Sequence, residues 1–472
     1  MIRITIDVLP DDVLLGVFDF YVYTGLYTRY TYEGKKEIET WQLLVRVCRR
    51  WRNLVIGSPR RLNLRLYCTP QTPAKDRLDV WPTFPLIVQG DVESFSAMDN
   101  VIAALGHSNR VCQVWFSSLL GWQLEKVLTP MHVSFPELTV LSLYAVGERP
   151  VISDSFLGGS APRLQYLLLN NIPFLGLPKL LLSATHLVNL YLYGIPHSGY
   201  ISPKEMVASL SVLPCLKSLT LVFRSPQSRP DRESQLPPPK CSILPTLNKF
   251  NFVGVTKYLE ELVACIDTPQ LDRFYITFFN QIDFDFPRLA QFINITPTLR
   301  ESDEAHVIFD DSNAKVELRC PTSKNRLRIL GIAISCKEPD WQLSSIEQVC
   351  NSSLPTFSMV EHLYIEHEYL QLGWKNDAIE NRLWLEVLHP FTAVKNLYVF
   401  KKFAPGIAAA LQELVGERMT EVLPSLQKIF VMGLEESGSI RENIGQFVAA
   451  RQLSNHPIVI SEWDGNSDTD WV

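Results

Sequence analysis

A short hydrophobic pattern recurs along most of the chain. Its three apolar positions are spaced apolar-x-x-apolar-x-apolar, as in Leu138-Thr-Val-Leu141-Ser-Leu143. Successive side chains of a strand point to opposite faces, so each copy predicts a short strand whose second and third anchors share one face. Eleven copies begin at Val111, Leu138, Leu164, Leu187, Leu216, Leu247, Leu271, Leu327, Val360, Val394 and Leu426.

The segments between these copies predict the rest of the array. Stretches such as Pro203 to Leu213 and Pro405 to Val415 are expected to form helical or irregular returns between strands. One interval, from Leu271 to Leu327, is 56 residues, about twice the usual spacing. A degenerate unit is therefore expected inside it, near Val307-Ile-Phe309 or Val316-Glu-Leu318.

This tandem strand-and-return unit resembles the leucine-rich-repeat family. The resemblance implies an α/β fold, a solenoid in which a curved parallel sheet carries helical or irregular returns. The family often has Asn or Cys eight residues after the first Leu, where this chain has Val146, Ile195 and Arg224. We therefore expect an irregular solenoid with unequal returns. Stacked helix pairs, the alternative architecture, suit this apolar spacing poorly.

The pattern is different in the first 60 residues, which we call the head. Leu9-Pro10-Asp11-Asp12 is typical of a helix start, because Pro and acidic side chains are favoured in the first turn. After a loop over residues 21–34, residues 41–55 predict a second helix with a wide apolar side. Two helices cannot bury so much apolar surface by themselves, so either the array or a partner should cover it.

The order Leu9-Pro10-x-x-Val13-Leu14-x-x-Val17-Phe18, followed by Leu44-x-x-Val47-Cys48-Arg49-x-Trp51, resembles an F-box. Residues 48–60 are similar to the end of that motif in many fungal members, although the loop between the two helices is long. The resemblance implies an all-α head that docks the adaptor subunit of a Skp–cullin–F-box ubiquitin ligase. The adaptor-binding residues it implies are Leu9, Pro10, Leu14, Phe18, Leu44, Val47 and Trp51.

The same resemblance implies that the chain is the ligase's substrate receptor and that its array holds a target protein near the conjugating enzyme. Such a receptor supplies proximity to another protein's chemistry, so no catalytic residue is expected. The alternative is a leucine-rich-repeat scaffold or recognition protein without a ubiquitin role, whose head only caps the array.

Composition narrows the classes further. The chain has 472 residues, 46% of them hydrophobic, and a net charge of −6, which excludes a mostly disordered chain and disfavours general nucleic-acid binding. Seven arginines between Arg46 and Arg65 are expected to be a solvated stripe and a basic linker; a nuclear-import or nucleic-acid patch is the alternative.

The nine cysteines are scattered and form no Cys-x-x-Cys pair, which argues against a disulfide framework and a zinc site. With no secretory apolar core near the N-terminus, we expect a cytoplasmic or nuclear protein. No uninterrupted apolar stretch reaches the length of a spanning helix, so no membrane partner is expected.

Motifs for catalysis are missing from the sequence. It contains no phosphate-binding loop, no dinucleotide fingerprint and no nucleophile elbow. Glu366-His367-Glu368 is expected to be a polar strand end rather than a metal site. We therefore expect no enzyme activity, cofactor or metal.

The residue between the second and third anchors of each copy should point away from the core. Six of these eleven positions are aromatic, against 11% of the whole chain. Aromatic residues favour strands in general, so part of this enrichment is structural. Exposed aromatic side chains also dominate binding surfaces. The target-binding residues predicted are Tyr191, Tyr275, Tyr364, Tyr398 and Phe430.

These patterns divide the chain into four segments. Residues 1–60 form the head, and residues 61–109 are a connecting segment that includes the start of the array. Residues 110–460 form the solenoid, interrupted by a polar, proline-rich stretch at 224–242 that is expected to be a mobile loop. Residues 461–472 are expected to be an acidic tail.

Overall fold

Each of the eleven copies of the hydrophobic pattern forms a strand in the computed structural model of the chain. The chain divides into two compact units, Met1–Pro150 with Asp154–Tyr166 and Val151–Ser153 with Leu167–Val472. The structure describes residues 8–463 except 28–39, 91–94, 148–149, 227–240, 280–285, 301, 322–326, 353–354, 369–380, 415–417, 419 and 434–438.

The first unit begins with helices and continues into a parallel sheet. Its strands pair in the order β1-β2-β3-β4, with Leu66 opposite Leu86 and Val114 opposite Leu141. The elements are α1 (Asp11–Tyr27), α2 (Thr40–Val47), α3 (Arg49–Gly57), β1 (Leu66–Cys68), α4 (Ala74–Arg77), β2 (Leu86–Gln89), α5 (Phe95–Gly106), β3 (Val111–Leu120), α6 (Gly121–Leu128) and β4 (Val140–Val146).

Two expectations for the head are wrong in detail. Helix α1 continues to Tyr27, through part of the expected loop, because no proline interrupts its hydrogen bonds there. The helix expected over residues 41–55 is instead two helices, α2 and α3, separated at Cys48, whose backbone is extended. The thiol of Cys48 accepts a hydrogen bond from the Trp51 amide at 3.4 Å and so caps the start of α3.

The second unit alternates strands with helices. Strand β5 is described with it because all its residues after Tyr166 belong there. Its elements are β5 (Tyr166–Asn170), α7 (Leu177–Leu181), β6 (Asn189–Ile195), α8 (Pro203–Leu210), β7 (Ser218–Phe223), β8 (Ser242–Ile243), β9 (Lys249–Gly254), α9 (Thr256–Val263), β10 (Ile266–Asp267), β11 (Arg273–Phe279), α10 (Pro287–Ile295), β12 (Glu304–Phe309), β13 (Asn313–Pro321), β14 (Leu327–Ser335), α11 (Pro339–Cys350), β15 (His362–His367), α12 (Asn381–Leu388), β16 (Asn396–Val399), α13 (Ala404–Gln412), β17 (Lys428–Met432), α14 (Ser439–Leu453) and β18 (Val459–Trp463).

The strands of this unit pair in the order β5-β6-β7-β9-β11-β14-β13-β12-β15-β16-β17-β18, while β8 and β10 form a separate parallel pair. The expectation of a parallel sheet throughout is wrong at one place, because β13 runs antiparallel to both β12 and β14. Where a degenerate unit was expected between Leu271 and Leu327, the chain instead forms two strands. Strand β12 pairs parallel with β15, β13 then runs antiparallel beside it, and the next strand, β14, pairs parallel with β11. The α/β class with a large, mostly parallel sheet is confirmed.

The core of the second unit lies between the sheet and its helices. Anchors such as Leu190 and Leu397 are fully buried, and the rings of Phe250 and Phe274 stack at 5.1 Å on neighbouring strands. Phe274 packs edge-on against Phe292 of α10 at 5.8 Å. The helices begin where the sequence allows, as at α8, where Ser202 and Glu205 form a capping box.

The outer segments of the predicted division are partly described. Strands β1 and β2 lie within residues 61–109, the segment assigned to the start of the array. Strand β18 continues to Trp463, so the first residues assigned to the acidic tail belong to the sheet. Residues 464–472 of that tail, and 227–240 of the expected mobile loop, lie outside the described residues.

Candidate functional site

The head is held together by one side of each helix. The rings of Phe18 on α1 and Trp51 on α3 lie 4.6 Å apart. Arg50 bridges the same helices: its Nη2 lies 2.6 Å from the Asp11 carboxylate and donates a hydrogen bond to the Leu9 carbonyl, also at 2.6 Å. These contacts fix α1 against α3.

Helix α1 carries a second apolar stripe that the chain leaves exposed. Val13, Val17 and Phe20 recur at helical spacing and are 44%, 48% and 72% exposed. On the side of the same helix that faces the head core, Leu14 and Phe18 are fully buried. Large apolar side chains aligned in this way on a solvent-facing helix are typical of protein–protein contact surfaces.

The seven residues expected to bind an adaptor therefore fall into two groups. Leu14, Phe18 and Leu44 lie in the core of the head, where they hold its helices in place. Pro10 and Val47 are exposed, and Leu9 and Trp51 are half-buried. The sequence pattern did not separate these groups, because it could not say which side of α1 packs on α2 and α3.

The predicted target-binding residues lie on the face of the second unit's sheet opposite its buried anchors, which we call the open face. Strand pairing places all five in one line across eleven strands, which we call the outward row. The outward row is Tyr191, Thr220, Asn251, Tyr275, Gly331, Glu317, His306, Tyr364, Tyr398, Phe430 and Ser461.

Part of the outward row is a stack of parallel rings, which we call the aromatic ladder. His306 lies 4.4 Å from Tyr364, Tyr364 lies 4.2 Å from Tyr398, and Tyr398 lies 4.6 Å from Phe430, each pair within 7° of parallel. Trp463 lies on β18, two residues after Ser461 of the outward row, and its ring approaches that of Tyr398 edge-on at 5.6 Å. Burial and the neighbouring Tyr398 raise the pKa of the Tyr364 phenol, which keeps it neutral.

Beside the ladder, strand β13 places alternate charged side chains on the open face. Arg319 donates two hydrogen bonds to Glu317, through Nε at 3.1 Å and Nη2 at 2.6 Å, and both residues are buried. Lys315 Nζ lies 3.3 Å from the other Glu317 oxygen and 2.9 Å from Glu368. Burial opposes ionisation of Glu317, but Lys315 and Arg319 outweigh it and lower the pKa of its carboxyl group.

His306 joins this charged group to the ladder. Its Nδ1 lies 3.1 Å from Glu366 Oε2, and Arg319 Nη1 lies 3.3 Å from its Nε2. Both ring nitrogens of His306 therefore lie within hydrogen-bonding distance of a charged side chain. The contact with His306 also lowers the pKa of Glu304. The charge cluster comprises Glu304, His306, Lys315, Glu317, Arg319, Glu366 and Glu368.

Sequence reasoning placed the aromatic positions but missed their setting. It gave no role to His306 or Glu317, because neither belongs to a complete copy of the repeat. The alternation of charged residues in Lys315-Val-Glu-Leu-Arg319 was the available signal. Glu366 and Glu368 were expected only to mark a polar strand end. They do lie at the end of β15, but Glu366 also contacts His306 and Glu368 also pairs with Lys315.

Sites for small ligands are less developed. Among the described side chains, no group of three or more His, Cys, Asp and Glu is arranged to hold a metal ion. A cavity lined by apolar side chains such as Leu169, Phe174 and Phe223 measures about 20 Å³, room for about one water molecule. No helix in the described part of the chain combines the length and apolarity needed to cross a bilayer.

Comparison with known proteins gives limited similarity. No protein-family model and no curated protein matches the chain. Among solved structures, it is similar to the leucine-rich repeat-containing protein LegL7 from Legionella pneumophila, with 12% identity over 83% of this chain and 98% of that chain. The TM-score of this match is 0.28, which is too low to establish a common fold by itself.

Proposed function

We propose that the chain is a substrate-recognition subunit of a Skp–cullin–F-box ubiquitin ligase. In this proposal the head docks the adaptor, which links the chain to the cullin, and the open face binds the target protein. The chain itself needs no catalytic residue, because it brings the target to another protein's active site.

The observation that carries the proposal is the exposed stripe of α1. Leu14 and Phe18 of this helix are buried in the core of the head, where they pack its helices together. Val13, Val17 and Phe20 of the same helix are exposed to solvent. Val47, implied by the F-box resemblance, adds an exposed apolar side chain on α2. A partner that covers this surface gains the free energy of removing it from water.

A second candidate function is a repeat scaffold whose head is only a cap. Two contacts within the first unit favour it: Trp41 packs edge-on against Phe84 at 5.3 Å, and Arg61 donates a hydrogen bond to the Asp12 carbonyl at 3.2 Å. These contacts attach the head to the segment that follows it, as a cap requires.

Adaptor binding separates the two candidates. The chain is co-expressed with the adaptor, and the adaptor recovered with it is measured by size-exclusion chromatography. We expect the double variant Val13→Asp, Val17→Asp to reduce the bound adaptor by about tenfold or more, because it buries two charges in an apolar contact. The control is Val133→Asp, at an equally exposed valine elsewhere in the first unit.

The adaptor complex formed by the control should equal that of the unsubstituted chain. A thermal melt of each variant confirms that the head is folded, since the substituted valines lie outside its core. If the unsubstituted chain recovers no adaptor, or if the double variant binds it normally, the ligase proposal is wrong and the cap is favoured.

A further inference from the structure

Two cations lie side by side on the open face without a counter-charge. Lys249 on β9 and Arg273 on β11 are directly opposite each other in the parallel register. They precede Asn251 and Tyr275 of the outward row by two residues, so all four side chains lie on the same face. Side chains opposite each other on neighbouring strands are about 5 Å apart at Cβ, and like charges at such positions repel. Among the described residues, no carboxylate lies within 4.0 Å of either cation, and neither donates a side-chain hydrogen bond.

The described strands around this pair carry no acidic side chain that could reach it. Strands β6, β7, β9 and β11 contain no Asp or Glu at all. Asp272 comes just before Arg273 but lies 4.0 Å from Arg328. By contrast, Arg319 occupies the same line of the open face and is paired with Glu317. Arg319 is thus neutralised by a carboxylate, whereas Lys249 and Arg273 have none among the described residues.

A third group in the same line is also unsatisfied. Ser218 lies directly opposite Lys249 on the other side, is 6% exposed, and its hydroxyl has no hydrogen-bond partner. A buried hydroxyl is normally paired, and one left alone in a native structure needs an explanation. Here a donor that lacks an acceptor lies next to Lys249, which in turn lies next to Arg273.

We infer that Ser218, Lys249 and Arg273 form a binding site for a carboxylate of an acidic segment in a partner protein. Lys249 is the middle member of the three, so an Asp or Glu carboxylate bound over it has Arg273 on one side and the Ser218 hydroxyl on the other. The carboxylate would offset the repulsion of the two cations and offer the hydroxyl an acceptor. Tyr191 and Tyr275, half-buried in the adjacent outward row, supply apolar contact area beside it. The inference deepens the proposed function, because it names the chemistry of the target on the open face.

The test measures binding of a short fluorescein-labelled oligoglutamate peptide to the full chain by fluorescence anisotropy at low salt, with labelled oligoglutamine and oligothymidine as comparison probes. We expect oligoglutamate to bind most tightly. The double variant Lys249→Glu, Arg273→Glu should weaken its binding by about tenfold or more, because it juxtaposes like charges. Ser218→Ala should weaken it by about tenfold, the effect of one hydrogen bond to a charged group.

The matched control is Lys428→Glu. Lys428 is an exposed cation in the same line of the same sheet, at β17, so its reversal introduces the same kind of charge change but leaves the site intact. The control should bind oligoglutamate as the unsubstituted chain does. Equal weakening by Lys428→Glu, no binding by the unsubstituted chain, or tighter binding of oligothymidine would overturn the inference.

Adaptor recovery is measured on the same variants, so that the two proposals can fail separately. The double variant should retain the adaptor, because the head is not altered. If no adaptor binds but oligoglutamate binding responds as expected, the carboxylate site stands on a protein that is not a ligase subunit. If the adaptor binds but the peptide does not, only the carboxylate site is wrong.

Discussion

The two parts of the outward row differ although the same repeat builds them. Over β6, β7, β9 and β11 the row has two small polar residues, Thr220 and Asn251, between Tyr191 and Tyr275, and the neighbouring cations Lys249 and Arg273 have no counter-charge among the described residues. Over β12, β15, β16 and β17 the rings form a continuous ladder next to a satisfied charge cluster. Strand spacing is about 4.8 Å, so aromatic residues in the same register stack on one another. Because all these rings share one register, the ladder differs from the other part in having rings on adjacent strands of the row.

The antiparallel strand β13 marks the boundary between these parts. It brings Lys315, Glu317 and Arg319 to the open face and places Glu317 between Gly331 and His306 in the row. The ring of Tyr275 lies over Gly331, where an added Cβ would come within 3.0 Å of Tyr275 Cδ1. One part of the face is thus internally paired, whereas the other contains Ser218, Lys249 and Arg273 without polar partners among the described residues.

The largest expected effect is at the charge cluster. Glu317→Ala leaves Arg319 buried without its carboxylate and should destabilise the protein by about 3–5 kcal/mol. Replacing both residues by methionine should recover most of this loss, because no unpaired charge remains. Urea unfolding checks both variants against Lys428→Ala, an exposed cation that should change stability little. If Glu317→Ala unfolds like the control, the Glu317–Arg319 pair does not contribute to stability as argued.

The next effect compares the rings themselves. Tyr364 is 8% exposed and stacked on both sides, so Tyr364→Ala should cost about 2–4 kcal/mol. Tyr191 is half-buried in the other part of the row, so Tyr191→Ala should lower the free energy of unfolding by about 1 kcal/mol or less. Thermal melts should place Leu190→Ala and Leu397→Ala at about 2–5 kcal/mol, because both anchors are in the core. Equal losses at Tyr191 and Leu190 would mean that the strand faces are assigned the wrong way round.

The smallest effect is in the pH dependence of stability. The folded-state pKa of Glu317 is below its ordinary value of 4.5, so its contribution is complete above that value and is lost as the pH falls through the folded-state pKa. The free energy of unfolding should therefore decrease as the pH falls below about 4.5. Glu317→Gln should reduce this decrease, whereas Glu421→Gln, an exposed glutamate, should leave it unchanged. Urea unfolding at a series of pH values measures it, and an unchanged pH dependence in Glu317→Gln would contradict the cluster's role.

The strands were the most predictable part of this protein. All eleven copies of the pattern are strands, and the second and third anchors of each are buried. The residue between those anchors is partly exposed in eight copies and buried at Thr220, Gly331 and Tyr364. The predicted returns at α8 and α13 are helices for the same local reasons. The break at Cys48 was not predictable from periodicity, because a thiol cap changes the backbone without changing the apolar pattern.

The sequence by itself determined the α/β class, the period of the units and the identity of the outward aromatic residues. These follow from hydrophobic alternation, which each segment carries independently of its neighbours. Only the tertiary structure decided which strands are neighbours and that β13 is antiparallel to β12 and β14. It also decided that Leu14 and Phe18 belong to the core of the head, and that His306 stacks at the end of the aromatic ladder. Each of these depends on contacts between residues far apart in the chain, and a local pattern contains no information about which distant strand or helix will cover it.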